Sequence, residues 1–187
     1  MTYRAMKYII ILIMLFIASG VVAEDISTKS YRLADHGFIQ LQVPQSWRDE
    51  IHQPEGGLPP TIVFSPRDGT SFQILITPLF SPRKGVVMPT PDQIKRIVQR
   101  TAEHVQSQAV QKTISINELK GPSAIGYYFS VTDRSPKPGE YKYMTQGMLR
   151  VGELVPTFTI LTNDGAESVV ADSLSMLRGA KHVDKAS

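Results

Sequence analysis

Apolar and polar side chains alternate along residues 38–43, the first regular pattern after an apolar N-terminal segment. Ile39, Leu41 and Val43 alternate with two glutamines, and Pro44 follows directly. A period of two is typical of a strand with one buried face, and proline commonly ends such a strand. The pattern predicts one strand here, followed by a loop over Arg48–Pro60 that is rich in proline and glycine.

Two further apolar runs, Thr61–Ser65 and Ser71–Thr77, predict a β-hairpin. Between them lies Asp68-Gly69, a dipeptide that favours a tight turn. A second proline-rich loop, Pro78–Pro89, follows the hairpin. From these strands and two later ones we expect the following core residues: Ile39, Leu41, Val43, Ile74, Ile76, Phe129 and Phe158.

The segment after Pro89 predicts an amphipathic helix over residues 92–109. Thr90 suits the N-cap, Pro91 suits the first turn, and Gln93 completes a capping box. Apolar residues then recur at helical spacing. This face comprises Ile94, Ile97, Val98, Ala102, Val105 and Ala109.

The C-terminal half predicts four strands and a second helix. The strands are expected at Thr113–Glu118, Ala124–Thr132, Tyr141–Val151 and Thr157–Thr162. Asp164 and Glu167 indicate a capping pair for a helix that runs to about Arg178, with Gly179 as a left-handed stop. Because hairpins follow one another without helical crossovers, we expect an α+β fold with a largely antiparallel sheet flanked by helices.

The N-terminus has the pattern of an export signal. Arg4 and Lys7 precede the apolar run 8–18, and small or short-branched Val21 and Ala23 occupy the −3 and −1 positions of a cleavage site. The run is shorter than the ~20 residues that cross a bilayer. We therefore expect residues 1–23 to be a cleaved signal peptide. The alternative is an inner-membrane anchor formed by uncleaved residues 8–23.

Cleavage changes the composition of the chain that remains. The full chain carries 20 Lys and Arg against 17 Asp and Glu, and the leader removes Arg4 and Lys7 but no acid, which leaves a net charge of +1. Residues 24–30 are expected to form a flexible lead-in and residues 31–183 a single domain. There is no cysteine, so disulfides and thiolate chemistry are excluded.

Aromatic and basic residues are concentrated in residues 126–147, which raises the question of nucleic-acid binding. A near-neutral chain lacks the broad basic surface of nucleic-acid-binding proteins. Alternation over this stretch places half of its aromatic side chains on one face. We interpret it as two paired strands and a polar loop, and we expect no nucleic-acid partner.

The order of elements resembles the PsbP-like superfamily, which includes the PsbP subunit of photosystem II, Ran-binding Mog and periplasmic DcrB-type proteins. The resemblance rests on "FIQLQVPQSW", "TIVFSPRDGTSFQILIT", "GYYFSVTD" and "YMTQGMLRVGELVPTFTILT", and covers nearly all of residues 31–180. It implies an α/β/α sandwich and docking on protein assemblies. It carries no common catalytic residue, and it does not imply binding to a photosystem or to Ran.

Candidate contact residues lie in and beside the predicted loops. Trp47 is either a hydrophobic plug at the end of a strand or, with Arg48, an anchor for a partner, since both residue types are enriched at interface hot spots. Phe80, Arg83 and Lys84 combine an aromatic ring with cations in the second loop. That mixture suits a protein groove or peripheral contact with an anionic membrane. Alternatively, the apolar residues of this loop fold back over the sheet edge.

Catalytic and metal-binding signatures are weak. His52 lies among acids in "RDEIHQPE" but lacks a recognised ligand spacing, and no GxSxG elbow or phosphate-binding loop occurs. We therefore expect no cofactor, no metal and no catalysis. The favoured function is that of an exported periplasmic binding or accessory protein that docks on an envelope assembly. The alternative is a small-molecule or metal carrier, or a small hydrolytic enzyme, with a site between sheet and loops.

Overall fold

The computed structural model describes residues 25–81 and 87–184. Within them the chain forms ten strands and two helices. In chain order these are β1 (Ile26–Arg32), β2 (Phe38–Pro44), β3 (Trp47–His52), β4 (Thr61–Pro66), β5 (Phe72–Leu79), α1 (Pro91–Val105), β6 (Asn117–Lys120), β7 (Ala124–Thr132), β8 (Tyr143–Val151), β9 (Val155–Thr162), α2 (Glu167–Arg178) and β10 (Lys181–Val183).

The strands form two antiparallel sheets. The larger has the order β3-β4-β5-β9-β8-β7-β6, and the smaller has the order β1-β2-β10. Helix α1 packs on β7 and β8, and its apolar residues form one core cluster with Phe129 and Val131. Helix α2 and β2 contribute to a second, larger cluster with β4, β5 and β9. The large sheet is therefore the middle layer, and the expected α+β class is confirmed.

All seven core residues expected from alternation are buried, each at most 1% exposed. Helix α1 buries Ile94, Val98 and Ala102, as its period predicts. Ile97 departs from the prediction because it is 41% exposed at the edge of the helix's buried face. The helical period therefore identified the buried face of α1 but not how far that face extends around the helix.

Three polar strands were not predicted, and two of them contradict a predicted lead-in or loop. Residues 26–30, expected to be a flexible lead-in, belong to β1, which pairs along its whole length with β2. The predicted loop at Arg48–Pro60 begins instead with β3. Strand β10 pairs with β2 after α2 ends. These strands carry few buried side chains, so they show no clear alternation of apolar and polar residues.

The capping predictions are confirmed for α1 but are wrong for α2. At α1, Thr90 and Gln93 form both bonds of the capping box, and Pro91 is the first helical residue, as predicted. At α2 the predicted Asp164–Glu167 pair is wrong, because the N-cap is Ala166 and no side chain caps it. The predicted left-handed stop at Gly179 is also wrong, since its φ of −82° and ψ of −3° are right-handed.

Other boundaries differ by a few residues. The strand expected at Thr113–Glu118 is observed as β6, and β8 starts two residues after Tyr141. In the part of the chain that the structure describes, no helix is long and apolar enough to cross a bilayer.

Candidate binding face

One half of the large sheet has an uncovered face. On the side where α1 packs, the helix lies over β7 and β8, whereas β3, β4 and β5 carry no helix among the described residues. Between these strands and the loop before β8 lies a groove of about 450 Å³. We call this surface the open face. It comprises Arg48, Glu50, His52, Thr61, Val63, Ser65, Gln73, Leu75 and Tyr141.

The floor of the open face is set by the register of the hairpin. Val63 of β4 lies directly opposite Leu75 of β5, and both side chains are half-buried. Beside them, the hydroxyls of Thr61 and Thr77 are 2.8 Å apart. Cross-strand pairs of this kind stabilise a sheet. The result is a small apolar centre bordered by hydroxyl groups.

The rim of the open face is charged and lies on β3. Arg48 Nε donates to Ser65 Oγ at 2.7 Å, and His52 Nε2 lies 3.2 Å from Glu50 Oε1. All three β3 side chains are exposed. Tyr141 also lines the groove, and burial raises its pKa. The rim therefore offers a cation, an anion and an imidazole to a molecule lying on the face.

Asp49 points to the other side of β3, because successive side chains of a strand alternate between faces. Its carboxylate accepts from Lys29 Nζ at 2.5 Å and from Tyr31 Oη at 3.0 Å. Burial alone would raise the pKa of Asp49, but these two bonds together lower it below its ordinary value. Burial, with the nearby carboxylate, raises the pKa of Tyr31. This cluster ties the small sheet to the edge of the large one.

Of the three predicted contact residues that the structure describes, Trp47, Arg48 and Phe80, only Arg48 lies on the open face. Trp47 is 4% exposed and packs against Phe64 and Phe72, with ring centroids 6.2 and 5.2 Å apart. Its interpretation as a hydrophobic plug is confirmed, and its interpretation as an accessible anchor is wrong for this structure. Its side chain points to the same side of β3 as Asp49, away from the open face.

Phe80 folds back onto the protein. Its ring stacks on His36, with centroids 4.0 Å apart and planes 24° from parallel, and packs against the main core cluster. The predicted contact residues Arg83 and Lys84 lie outside the described residues. Phe80 is therefore folded back onto the core, whereas Leu79 and Val87 of the same loop are exposed.

Glu50 and Asp49, two of the acidic residues near His52 in the sequence, lie on opposite faces of β3. Glu50 and His52 share one face of β3, whereas Asp49 is engaged by Lys29 on the other. Across residues 25–81 and 87–184 there is no group of three or more His, Asp or Glu side chains placed to hold a metal ion.

The aromatic and basic stretch forms two paired strands, as interpreted from the sequence. Strands β7 and β8 pair from Ala124 to Thr132 without interruption. Two of its cations have partners within the protein: Arg134 donates to the carbonyl of Ala109 at 2.8 Å, and Lys142 pairs with Asp164 at 3.0 Å.

Gln73, Leu75 and Tyr141 are parts of the open face that sequence analysis did not identify. Gln73 and Leu75 belong to the ordinary alternation of a half-buried strand, so their residue types do not mark them as site residues. A comparison of the number of strands with the number of helices could have indicated that part of the sheet is left uncovered. A single 15-residue helix cannot cover one face of seven strands, so part of that face had to remain open.

Comparison with known proteins gives a likeness in fold only. No family model matches the chain, and no curated protein matches it. The solution structure of cyanobacterial PsbP from Synechocystis is similar with a TM-score of 0.48 and 12% identity, over 90% of this chain and 99% of that one. A crystal structure from Bacteroides thetaiotaomicron is similar with a TM-score of 0.47 and 10% identity, over 81% of this chain.

The chain spans only 47% of the Bacteroides protein. A PsbP is thus among the similar structures, as the resemblance in sequence led us to expect. At these identities no function is carried over from either protein.

Proposed function

We propose that the protein is an exported, non-catalytic accessory protein that docks on another protein of the cell envelope through the open face. The observation that carries the proposal is the uncovered β4–β5 hairpin, whose half-buried Val63 and Leu75 are bordered by polar and charged side chains. Protein interfaces combine an apolar centre with a polar rim in this way.

The signal-peptide pattern supports the cellular part of the proposal, and the lack of catalytic motifs together with the exposed rim supports its non-catalytic part. Residues 1–23 have the pattern of a signal peptide, with the apolar run 8–18 and Ala23 before the cleavage position. The chain contains none of the catalytic motifs sought in the sequence, and its charged rim is exposed rather than enclosed. An exposed rim suits recognition better than catalysis, which favours water-excluded sites.

The test places a photo-crosslinking residue at Val63 in growing cells and identifies the crosslinked protein by mass spectrometry. The same crosslink is then measured in the Leu75→Arg variant, which puts a charge at the apolar centre. We expect at least a tenfold loss of that crosslink, since core positions of interfaces dominate affinity.

The matched control is Val110→Arg, because Val110 is 54% exposed and lies outside the open face. It should leave the crosslink unchanged. Equal crosslinking in both variants, with both proteins folded by thermal melting, would show that the open face is not the docking surface.

A second candidate function is carriage of a small molecule. It is favoured by the volume of the groove, about 450 Å³, which falls within the range of small-molecule sites. Native mass spectrometry of protein purified under mild conditions distinguishes the two functions. A stoichiometric bound mass that disappears in Leu75→Arg would favour the carrier.

A further inference from the structure

Strand β3 forms a free edge of the large sheet. Within the described residues it pairs only with β4, in an unbroken register from Trp47 to His52. The strand has no proline and no bulge, so it keeps a straight row of backbone groups on its outer side. Such an edge readily pairs with another extended strand unless something covers it.

The side chains of β3 differ between its two faces. On the open face, Arg48 and Glu50 stand two residues apart with opposite charges. On the other face, Trp47 is buried, whereas Ile51 is 52% exposed. An exposed isoleucine at a free edge leaves apolar surface in water that a neighbouring strand would cover.

We propose that β3 pairs antiparallel with β3 of a second copy, so that the two large sheets become one continuous sheet. With Asp49 opposite its counterpart, Arg48 of each copy lies opposite Glu50 of the other. In the same register, Ile51 of each copy lies opposite Trp47 of the other. Trp47 stays buried in its own core, so the gain is that the neighbouring strand covers the exposed Ile51. Opposite charges and apolar pairs placed directly across antiparallel strands are stabilising.

The charges select this register over its neighbours. Centring the pair on Glu50 would place two glutamates opposite each other, and centring it on Arg48 would place two arginines together. Like charges in these positions are destabilising. In the proposed register the only facing acids are the two Asp49 carboxylates, and each is already neutralised by Lys29 at 2.5 Å.

The opposite edge of the sheet, β6, is a poorer candidate. It has four residues against six in β3, and its apolar Leu119 is fully buried. At its end, Gly121 lies against the backbone of Arg178, where even a Cβ atom would come within 2.0 Å of the carbonyl oxygen. A strand that added there would gain no exposed apolar contact.

Sedimentation velocity of the purified protein over a concentration series tests the pairing. We expect a monomer–dimer equilibrium for the natural chain. Arg48→Glu alone and Glu50→Arg alone should each weaken dimerisation by about tenfold or more, because each creates two like-charged pairs. The double variant Arg48→Glu/Glu50→Arg restores both pairs, so it should dimerise within about threefold of the natural chain.

The matched control reverses the same two charge types on the other edge, as Glu118→Lys and Lys120→Glu. These variants should dimerise like the natural chain. A chain that remains monomeric at every concentration overturns the proposal, as does failure of the folded double variant to recover, or dissociation caused by the β6 variants. The readout is independent of envelope docking, so either proposal can fail alone.

Discussion

At the scale of single residues, Asp49 joins the two sheets through Lys29 and Tyr31. Asp49→Asn keeps the shape of the side chain but removes its charge. We expect the free energy of unfolding at pH 7 to fall by about 1–2 kcal/mol, because solvent screening at this partly exposed site reduces the ~1.5–3 kcal/mol typical of hydrogen bonds to charged groups. Chemical denaturation of both proteins measures this difference.

The same substitution has a defined pH dependence. Because the folded-state pKa of Asp49 is lowered, its stabilisation is complete above the unfolded-state pKa. It is lost as the pH falls through the lowered folded-state pKa. The difference between Asp49→Asn and the natural chain should therefore shrink in strong acid. Asp35→Asn, at an exposed position, serves as the control and should show little difference at either pH.

At the scale of elements, Thr90 and Gln93 start α1 with a complete capping box, in bonds of 3.3 and 2.7 Å. Thr90→Ala removes the bond to the backbone of Gln93 and should cost about 1 kcal/mol of stability. That loss corresponds to a fall in Tm of about 2–4 °C for a domain of this size. Thr90→Ser keeps the hydroxyl, and its Tm should stay close to that of the natural chain. Equal melting of both variants would mean that packing alone fixes the start of the helix.

The elements also show what sequence could and could not predict. Strands with a buried face, such as β2 and β7, were found because burial enforces alternation. Edge strands β1 and β3 were missed because pairing, rather than burial, holds them in place. The cap predicted at Asp164 failed because that carboxylate bonds to Lys142 and Tyr143 instead. Such a choice of partner depends on residues about twenty positions away.

The candidate site was predictable only in part, for the same reason. Arg48 was identified from its neighbours in sequence, but the open face also requires that β3, β4 and β5 lie side by side beyond the reach of α1. The stack of Phe80 on His36 joins residues from separate loops, and no local pattern indicates it.

At the scale of the whole molecule, the proposed cleavage after Ala23 lies close to the first strand. Strand β1 starts at Ile26, and the carbonyl of Asp25 already accepts from the backbone N–H of Gln45. The cleavage position is thus two residues from the first described contact of the fold. Since an adjoining folded strand would restrict access of a peptidase to the chain, we expect cleavage to precede the pairing of β1 with β2.

The prediction is that exported protein begins at Glu24 and is released with the contents of the periplasm. N-terminal sequencing and intact-mass measurement of each cell fraction provide the test. Ala23→Pro should block cleavage, since proline removes the backbone N–H at the site and fixes its φ angle, and should leave residues 1–23 attached in the membrane fraction. The contrary result is a natural chain that keeps residues 1–23 and stays with the membrane. In that case residues 8–23 form a membrane anchor, and the protein docks on its partner from the membrane surface.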